Sequence, residues 1–270
     1  MSLQSLWRQA ACILLVSALT SQAYAQARSQ PDVSGVWVRP GTGRNADGTQ
    51  TQRVIPPTQH SSWTRESLPF TPEGRKAFDA NKPIAGPRQV KSELSNDPRD
   101  HANPVGLYRM IASSGNGRAF EIHQHDGKIY MLFSYGRNWR IIYTDGRPVE
   151  EHPIGPFWFG SSFGKWEGDT LVITTLDMDD RQWLDGWGTP ISMDARVTER
   201  WRRVGDKVEF SFTVNDPTYY TKPWHSETQT FALQAKQVEP VEMITAPADI
   251  SEYNNTLLIP SSNKAGSSAK

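Results

Sequence analysis

The chain has 270 residues, with 29 Lys and Arg against 29 Asp and Glu, so its formal net charge is zero near neutral pH. A chain without a basic stripe is a poor partner for nucleic acid, because that binding depends on neutralising phosphates. The single cysteine, Cys12, lies near the start of the chain, so the residues after it form no disulfide, thiolate metal site or cysteine nucleophile.

The first 25 residues have the pattern of a secretory signal peptide. Arg8 supplies a positive charge, residues 10–20 form an apolar run, and residues 23–25 read Ala-Tyr-Ala, a small-x-small cleavage site. The run is too short to span a bilayer, which takes about 20 residues. We therefore predict a periplasmic or secreted protein that begins at Gln26 and has no stable membrane insertion after cleavage. The alternative is a retained N-terminal anchor.

Residues 26–105 are predicted to contain a first strand and a loop-rich extension. The strand covers residues 33–38, and the stretch after it is rich in Gly, Asn, Thr, Pro and Ser. One short helix is predicted within it, with Thr71 as its N-cap and Pro72 at its first position. Loops of this length are uncommon in a compact domain unless they wrap or cover something.

Short strands joined by tight turns are predicted in residues 106–250, and a flexible tail in residues 251–270. Asp126-Gly127 lies between alternating runs and is a strong hairpin signal. Consecutive hairpins close most economically into an all-β, antiparallel up-and-down barrel, completed by strand 33–38, because closure removes the exposed edges. A two-sheet β-sandwich is the alternative. The predicted strands are 120–125, 128–135, 139–144, 157–166, 170–175, 196–203, 208–214 and 224–233.

Two resemblances extend this prediction. Gly35-Val36-Trp37 is similar to the Gly-x-Trp signature on the first strand of the calycins, which implies a lipocalin-like barrel. The runs at residues 143–147, 165–172 and 220–224 resemble the YTDGR, GKWEGDTLV and YTKPW motifs of a family of uncharacterised exported bacterial proteins. That resemblance covers most of residues 31–225 and implies no established activity. The chain departs from it at Pro190-Ile191-Ser192, where many members have Pro-His-Ser.

Three side chains are candidates for proton transfer: His152, Asp180 and Asp185. His152 follows a predicted strand at the rim of the barrel, and imidazole titrates near neutral pH. The two aspartates lie in an acidic, aromatic loop between strands, and loops on rigid barrels commonly carry function. Alternatives for this loop are a solvated segment anchored by tryptophans and a calcium loop, although its spacing does not fit an EF-hand.

The predicted ligand wall begins with Trp158, Phe159, Gly160 and Phe163. Glycines inside a strand weaken it unless a ligand or another backbone approaches closely, so a ligand wall and a bend in the core are both open. The turn at residues 167–169 needs no function, because Gly supplies a positive φ there. The other predicted binding residues are Tyr143 and Arg147, which would orient the ligand, and the aromatic Trp183, Tyr220 and Trp224.

No cofactor is predicted, because the sequence has no nucleotide-binding loop, Rossmann fingerprint, serine elbow or haem motif. No metal site is predicted either, although His123 and His125 alternate on one strand face in a pattern that zinc sites also use.

The sequence thus predicts an exported barrel that performs cofactor-independent acid–base chemistry, of the lyase, isomerase or hydratase type, on an apolar or aromatic small molecule. The alternatives are a non-catalytic, lipocalin-like binding protein with the same pocket, and an envelope module whose tryptophans meet a protein or glycan. Titratable groups that converge on one apolar cavity would favour catalysis, and a purely apolar cavity would favour binding.

Overall fold

The computed structural model of the protein describes residues 31–40, 59–101, 103–112, 119–134, 137–152 and 154–234. The predicted signal peptide and the predicted flexible tail lie outside these residues. The described residues from Val33 onward belong to one compact unit.

The described residues contain ten β-strands and two α-helices. The helices are α1 (Pro72–Ala80) and α2 (Leu107–Ala112). The strands are β1 (Gly35–Val38), β2 (Phe120–His125), β3 (Lys128–Phe133), β4 (Asn138–Tyr143), β5 (Ser161–Glu167), β6 (Thr170–Leu176), β7 (Arg196–Val204), β8 (Lys207–Asn215), β9 (Trp224–His225) and β10 (Gln229–Leu233).

Nine of these strands close into a barrel, which confirms the predicted all-β barrel. Strands β1 to β8 are neighbours in chain order, and β10 closes the ring by pairing with both β1 and β8. The short β9 pairs only with β8, beside the ring. One pair departs from the expected antiparallel meander, since β4 and β5 run parallel. A parallel pair needs a long crossover, and residues 144–160 provide it.

Two predicted strands differ in their bounds for local reasons. The strand expected from residue 157 begins at Ser161, because Gly160 has a φ of +69° and leaves the extended conformation. The strand expected over residues 224–233 is interrupted between β9 and β10. There the backbone N–H of Glu227 donates to the carbonyl of Trp63 at 2.7 Å instead of to a strand.

Side-chain alternation places the core inside the barrel. Along β8 the side chains of Val208, Phe210, Phe212 and Val214 all point inward and are buried. Burying a side chain of this kind stabilises the folded state by about 1.5–3 kcal/mol. A one-residue slip of β8 would expose the whole set, so this pattern fixes the register.

The predicted helix α1 is confirmed with its cap. The Thr71 hydroxyl accepts a hydrogen bond from the Gly74 N–H at 3.0 Å, and Pro72 opens the helix. Phe78 is its buried aromatic residue. Gly74 lets the helix lie directly on Tyr219, because a Cβ on Gly74 would be 2.0 Å from the Tyr219 carbonyl oxygen.

Helix α2 was not predicted, since strands were expected from residue 106 onward. Its residues Leu107 to Ile111 are all buried, so the segment lacks the polar face that marks an amphipathic helix in a sequence. The Tyr108 hydroxyl enters the barrel and donates to Glu199 at 2.9 Å.

A buried ion pair lies at the centre of the barrel. Arg140 on β4 binds Glu199 on β7 through two N–H groups, at 2.6 and 3.0 Å. Burial alone would lower the pKa of the Arg140 guanidinium, but the charge of Glu199 and its hydrogen bonds outweigh this and raise it. Burial, followed by the charge of Glu199, raises the pKa of Tyr108 well above its ordinary range. The polar groups at this centre therefore form their hydrogen bonds with one another.

Part of the extension covers the barrel. The Trp63 ring meets Phe210 and Phe212 edge to face, at 5.9 and 5.0 Å between centroids, and its indole N–H donates to the Leu184 carbonyl at 2.8 Å. Side chains from outside the strands thus add to the barrel interior.

Candidate ligand-binding groove

The parallel pair leaves an opening in the barrel wall. Strand β4 pairs with β3 along its whole length, but it pairs with β5 only at Ile142–Ser162 and Tyr143–Phe163. The first half of β4 therefore has no neighbouring strand on that side among the described residues.

A groove of about 370 Å³ occupies this opening. One wall is the outer side of β4, and the other is the segment that ends the crossover before β5. Five of its eleven lining residues are Trp, Tyr or Phe, and aromatic side chains of this kind commonly line small-molecule sites. The lining residues are Trp139, Arg140, Ile141, Tyr143, His152, Phe157, Trp158, Phe159, Gly160, Ser161 and Ser162.

Main-chain hydrogen bonds hold the second wall in place. The Phe157 N–H donates to the Asp177 carbonyl at 2.9 Å, and the Asp179 N–H donates back to the Phe157 carbonyl at 3.0 Å. The Gln182 side chain donates to the Trp158 carbonyl at 2.6 Å. The wall is therefore preformed, which lowers the entropy that a ligand loses on binding.

The peptide group of Trp139 is a polar element on the β4 wall. Gly127 directly precedes β3 and Thr144 directly follows β4. The Thr144 N–H donates to the Gly127 carbonyl at 2.9 Å, so these two opposite residues form a hydrogen-bonded pair. Antiparallel strands alternate bonded and non-bonded pairs, which turns the N–H and carbonyl of Trp139 away from β3 and toward the groove.

His152 lines the groove as a hydrogen-bond donor. Its Nδ1 accepts the Ile154 N–H at 3.2 Å, and its own backbone N–H donates to Asp177 at 2.6 Å. A backbone N–H can only donate, so the proton of the neutral ring is on Nε2. The ring meets Phe157 at a centroid distance of 4.9 Å.

Trp158 and Gly160 line the groove in different ways. The indole N–H of Trp158 is buried without a hydrogen-bond partner among the described residues, and Arg181 lies 5.2 Å from its ring. At Gly160 a Cβ would be 2.4 Å from the Leu176 carbonyl oxygen and 2.7 Å from Cγ of Met178. The sequence left two explanations open for this glycine, a ligand wall and a bend in the core. The close approach at Gly160 is made by a neighbouring backbone, which favours the bend.

Tyr143, Arg147 and Phe163 form a group on the outer surface. The Arg147 guanidinium lies 3.7 Å above the Tyr143 ring and is also paired with Asp145, at 2.6 Å. Hydrogen bonds from Arg147 lower the pKa of Asp145 to about 2. Phe163 lies 6.2 Å from Tyr143, but of these residues only Tyr143 lines the groove.

The other two candidates for proton transfer do not line this groove. Asp185 is 1% exposed and accepts five hydrogen bonds, from the Ser61 and Ser62 hydroxyls and from three backbone N–H groups. It joins the extension to the loop at residues 185–189. Asp180 is exposed. Burial of Tyr219, followed by the charge of Asp180, raises the pKa of Tyr219.

Trp183, Tyr220 and Trp224 are buried in packing positions. Trp183 pairs with Pro190 across an isolated bridge. The Tyr220 hydroxyl donates to the Pro190 carbonyl at 2.7 Å, and its ring lies 5.8 Å from that of Trp224. These three aromatics therefore stabilise the fold around the barrel.

His123 and His125 stack on the outer face of β2, with centroids 6.5 Å apart, and His123 lies 3.0 Å from Glu121. In the described part of the chain, no group of three or more His, Cys, Asp or Glu side chains has a geometry that could hold a metal ion.

Trp139 and Phe157 are aromatic lining residues that were not predicted from the sequence. Trp139 lies between Asn138 and Arg140, and its side chain is 59% exposed. A signal was present, since a tryptophan on the face opposite the inward Arg140 and Ile142 has no place in the core.

Comparisons with models of protein families, with curated proteins and with solved structures found no match. In the described ranges, neither helix has the length and apolarity needed to cross a bilayer.

Proposed function

We propose that this protein binds a flat, largely apolar small molecule in the groove between β4 and the segment before β5. One observation carries the proposal: five residues that the sequence singled out for ligand binding or proton transfer line a single groove of about 370 Å³. They are Tyr143, Trp158, Phe159 and Gly160, which were predicted to bind a ligand, and His152, which was predicted to transfer a proton.

The exposed aromatic surface supports a ligand here. Trp139 is 59% exposed and Phe157 is 39% exposed, and both line the groove. Exposed apolar surface of this kind often marks a binding site when it is contiguous and concave. A ligand that stacks on Trp139 gains about 0.5–1.5 kcal/mol beyond the burial of apolar area.

The polar groups of the groove indicate one hydrogen-bonding substituent on the ligand. The Nε2–H of His152 and the N–H of Trp139 are donors, and the Trp139 carbonyl is an acceptor. A hydroxyl or carbonyl on an aromatic ring would match them.

The groove is a better candidate than the barrel interior. The barrel interior holds Trp201, Phe210 and Phe212 together with the Arg140–Glu199 pair between β4 and β7, all of them buried. A lipocalin-like ligand would have to displace these side chains, whereas the groove is open.

Affinity for 2-naphthol, measured by calorimetry, tests this proposal, with decahydro-2-naphthol as a non-aromatic probe of similar size. Trp139→Ala should weaken 2-naphthol binding about tenfold, which corresponds to about 1.4 kcal/mol. Met193→Ala is the matched control, because Met193 is 52% exposed and does not line the groove.

Equal effects of the two variants, or equal affinity for the two probes, would contradict the proposal. Neither variant should change the urea midpoint by much, since exposed substitutions usually stay within about 0.5 kcal/mol.

Catalysis is the second candidate, and only His152 favours it. Its Nε2–H would donate to a ligand carbonyl as a general acid, but neither predicted aspartate lines the groove to act as its base. If the protein is an enzyme of this kind, His152→Gln should abolish turnover of the native substrate and leave 2-naphthol affinity within about threefold. Unchanged turnover in this variant would exclude His152.

We also propose that the protein is exported and belongs to the family that its motifs resemble. The N-terminal pattern and the motifs at residues 143–147, 165–172 and 220–224 support this. N-terminal sequencing of protein from the cell envelope should begin at Gln26, and a chain that retains Met1 would contradict export by cleavage.

A further inference from the structure

A second, smaller cavity lies between α1 and the loop at residues 185–189, and it shares no lining residue with the groove. Its volume is about 150 Å³, and a cavity of this size can hold a benzene-sized molecule. Phe78 and Trp187 supply apolar surface, whereas the rest of the lining is mainly polar.

Arg88 is a fixed cation at this cavity. Its guanidinium lies 3.5 Å above the Phe78 ring and donates to the carbonyls of Phe78 at 2.7 Å, Asn81 at 3.3 Å and Trp187 at 3.2 Å. These bonds use three of its five N–H groups, so within the described residues two remain for a ligand. These carbonyls are neutral, and the carboxylates whose charges act on Arg88, those of Asp79 and Asp185, are not part of the cavity lining.

Arg75 adds a second positive charge. Its Nε–H donates to Asp79 at 2.8 Å, one turn further along α1, on the exposed side of the helix. Both arginines line the cavity, and Asp79 does not. The cavity lining therefore contains two guanidinium groups and no carboxylate.

His60 adds another donor. Its Nδ1 accepts the Leu68 N–H at 3.2 Å, so the neutral ring carries its proton on Nε2. Burial, and then the charges of Arg75 and Arg88, lower the pKa of His60, which keeps the ring neutral near pH 7.

Gln59 supplies an acceptor that lacks a partner. The residue is 2% exposed, and its Nε2 donates to the Ser61 carbonyl at 2.9 Å, which fixes the orientation of the amide. Its Oε1 has no hydrogen-bond partner among the described residues. A buried acceptor without a partner is costly, so a donor on a bound molecule would stabilise it.

We propose that this cavity binds a small oxyanion, a carboxylate or a phosphate group, that also carries a hydroxyl. The oxygens of the anion meet the N–H groups of Arg75, Arg88 and His60, and the hydroxyl donates to Gln59. Guanidinium groups bind both anions through paired N–H···O bonds. Phe78 and Trp187 limit the ligand to a few heavy atoms.

The test is a calorimetric or ligand-observed NMR titration of the protein with L-lactate and with inorganic phosphate, with lactamide as the neutral probe. Arg75→Gln removes one charge from the cavity and should weaken anion binding roughly fivefold. Arg65→Gln is the matched control, because Arg65 is exposed, forms an ion pair with Glu227 and does not line the cavity.

A second variant tests the hydroxyl. Gln59→Met should weaken L-lactate binding several-fold and leave propionate binding unchanged, because propionate has no hydroxyl for Gln59 to accept. If phosphate binds more tightly than L-lactate, with the same dependence on Arg75, the native ligand is a phosphate rather than a carboxylate.

Three results would overturn the proposal. They are an equal loss in Arg75→Gln and Arg65→Gln, equal affinity for L-lactate and lactamide, and no binding of either anion at tens of millimolar. Circular dichroism of each variant shows that the fold is retained, so a lost affinity cannot be ascribed to unfolding.

Discussion

Replacement of Gly160 by alanine is expected to destabilise the protein far more than a similar change in a simple turn. Gly160 ends the second wall of the groove and has a φ of +69°. An alanine Cβ there would be 2.4 Å from the Leu176 carbonyl oxygen and 2.7 Å from Cγ of Met178. Both atoms belong to the neighbouring chain segment that holds the wall.

The expected magnitude has two parts. A left-handed backbone costs a non-glycine residue about 1–2 kcal/mol. Overpacking against a fixed carbonyl adds about 1–3 kcal/mol. Gly160→Ala should therefore lower the free energy of unfolding by about 2–5 kcal/mol.

Gly168→Ala is the matched control. Gly168 also has a positive φ, +63°, but a Cβ there would meet nothing within 4 Å, so only the backbone cost of about 1–2 kcal/mol applies. Urea unfolding of both variants gives the comparison. If Gly160→Ala is no less stable than Gly168→Ala, the close approach of the Leu176 carbonyl does not explain the glycine.

Three further predictions concern residues outside the groove. Trp37→Ala should cost about 3–5 kcal/mol in urea unfolding, because the ring is fully buried in the barrel; a loss below about 1 kcal/mol would contradict that position. Asp185→Asn should lower the free energy of unfolding by about 2–3 kcal/mol, because an amide nitrogen cannot accept the hydrogen bonds that Asp185 accepts. At exposed Asp180 the same change should lower it by less than about 0.5 kcal/mol. The lowered pKa of His60 means that the unfolded chain binds its proton more readily, so stability should fall as pH drops below the ordinary value of 6.5. Urea midpoints at about pH 7.5 and 5.5 should differ less for His60→Asn than for the exposed control His125→Asn. The same difference in both variants would contradict the lowered pKa of His60.

The strands of the barrel were largely predictable because their signals are local. Asp126-Gly127 and alternation in β8 depend only on neighbouring residues, and both gave the observed hairpins. The parallel β4–β5 pair was not predictable from the same signals, since side-chain alternation is the same in a parallel and an antiparallel strand. Helix α2 was missed because it is buried on all sides and shows no amphipathic period.

The candidate site was predictable only in part, for a related reason. The wall at Trp158 to Gly160 combines glycine with aromatics, which is visible in sequence. Its partner Trp139 is contributed by a different strand, and only the register of β4 against β5 brings the two walls together. Asp185 resembled a catalytic base in sequence, but an acidic side chain that accepts five structural hydrogen bonds has the same local pattern.

The most direct test of the proposed groove is ¹⁹F NMR of the protein labelled with 5-fluorotryptophan and titrated with 2-naphthol. Trp139 and Trp158 line the groove, whereas Trp37 and Trp201 lie in the barrel interior. Single tryptophan-to-phenylalanine variants assign the four resonances. We expect the Trp139 and Trp158 resonances to shift together with one dissociation constant while those of Trp37 and Trp201 stay fixed. Shifts at Trp37 and Trp201 without shifts at Trp139 and Trp158 would place the ligand inside the barrel and contradict the groove.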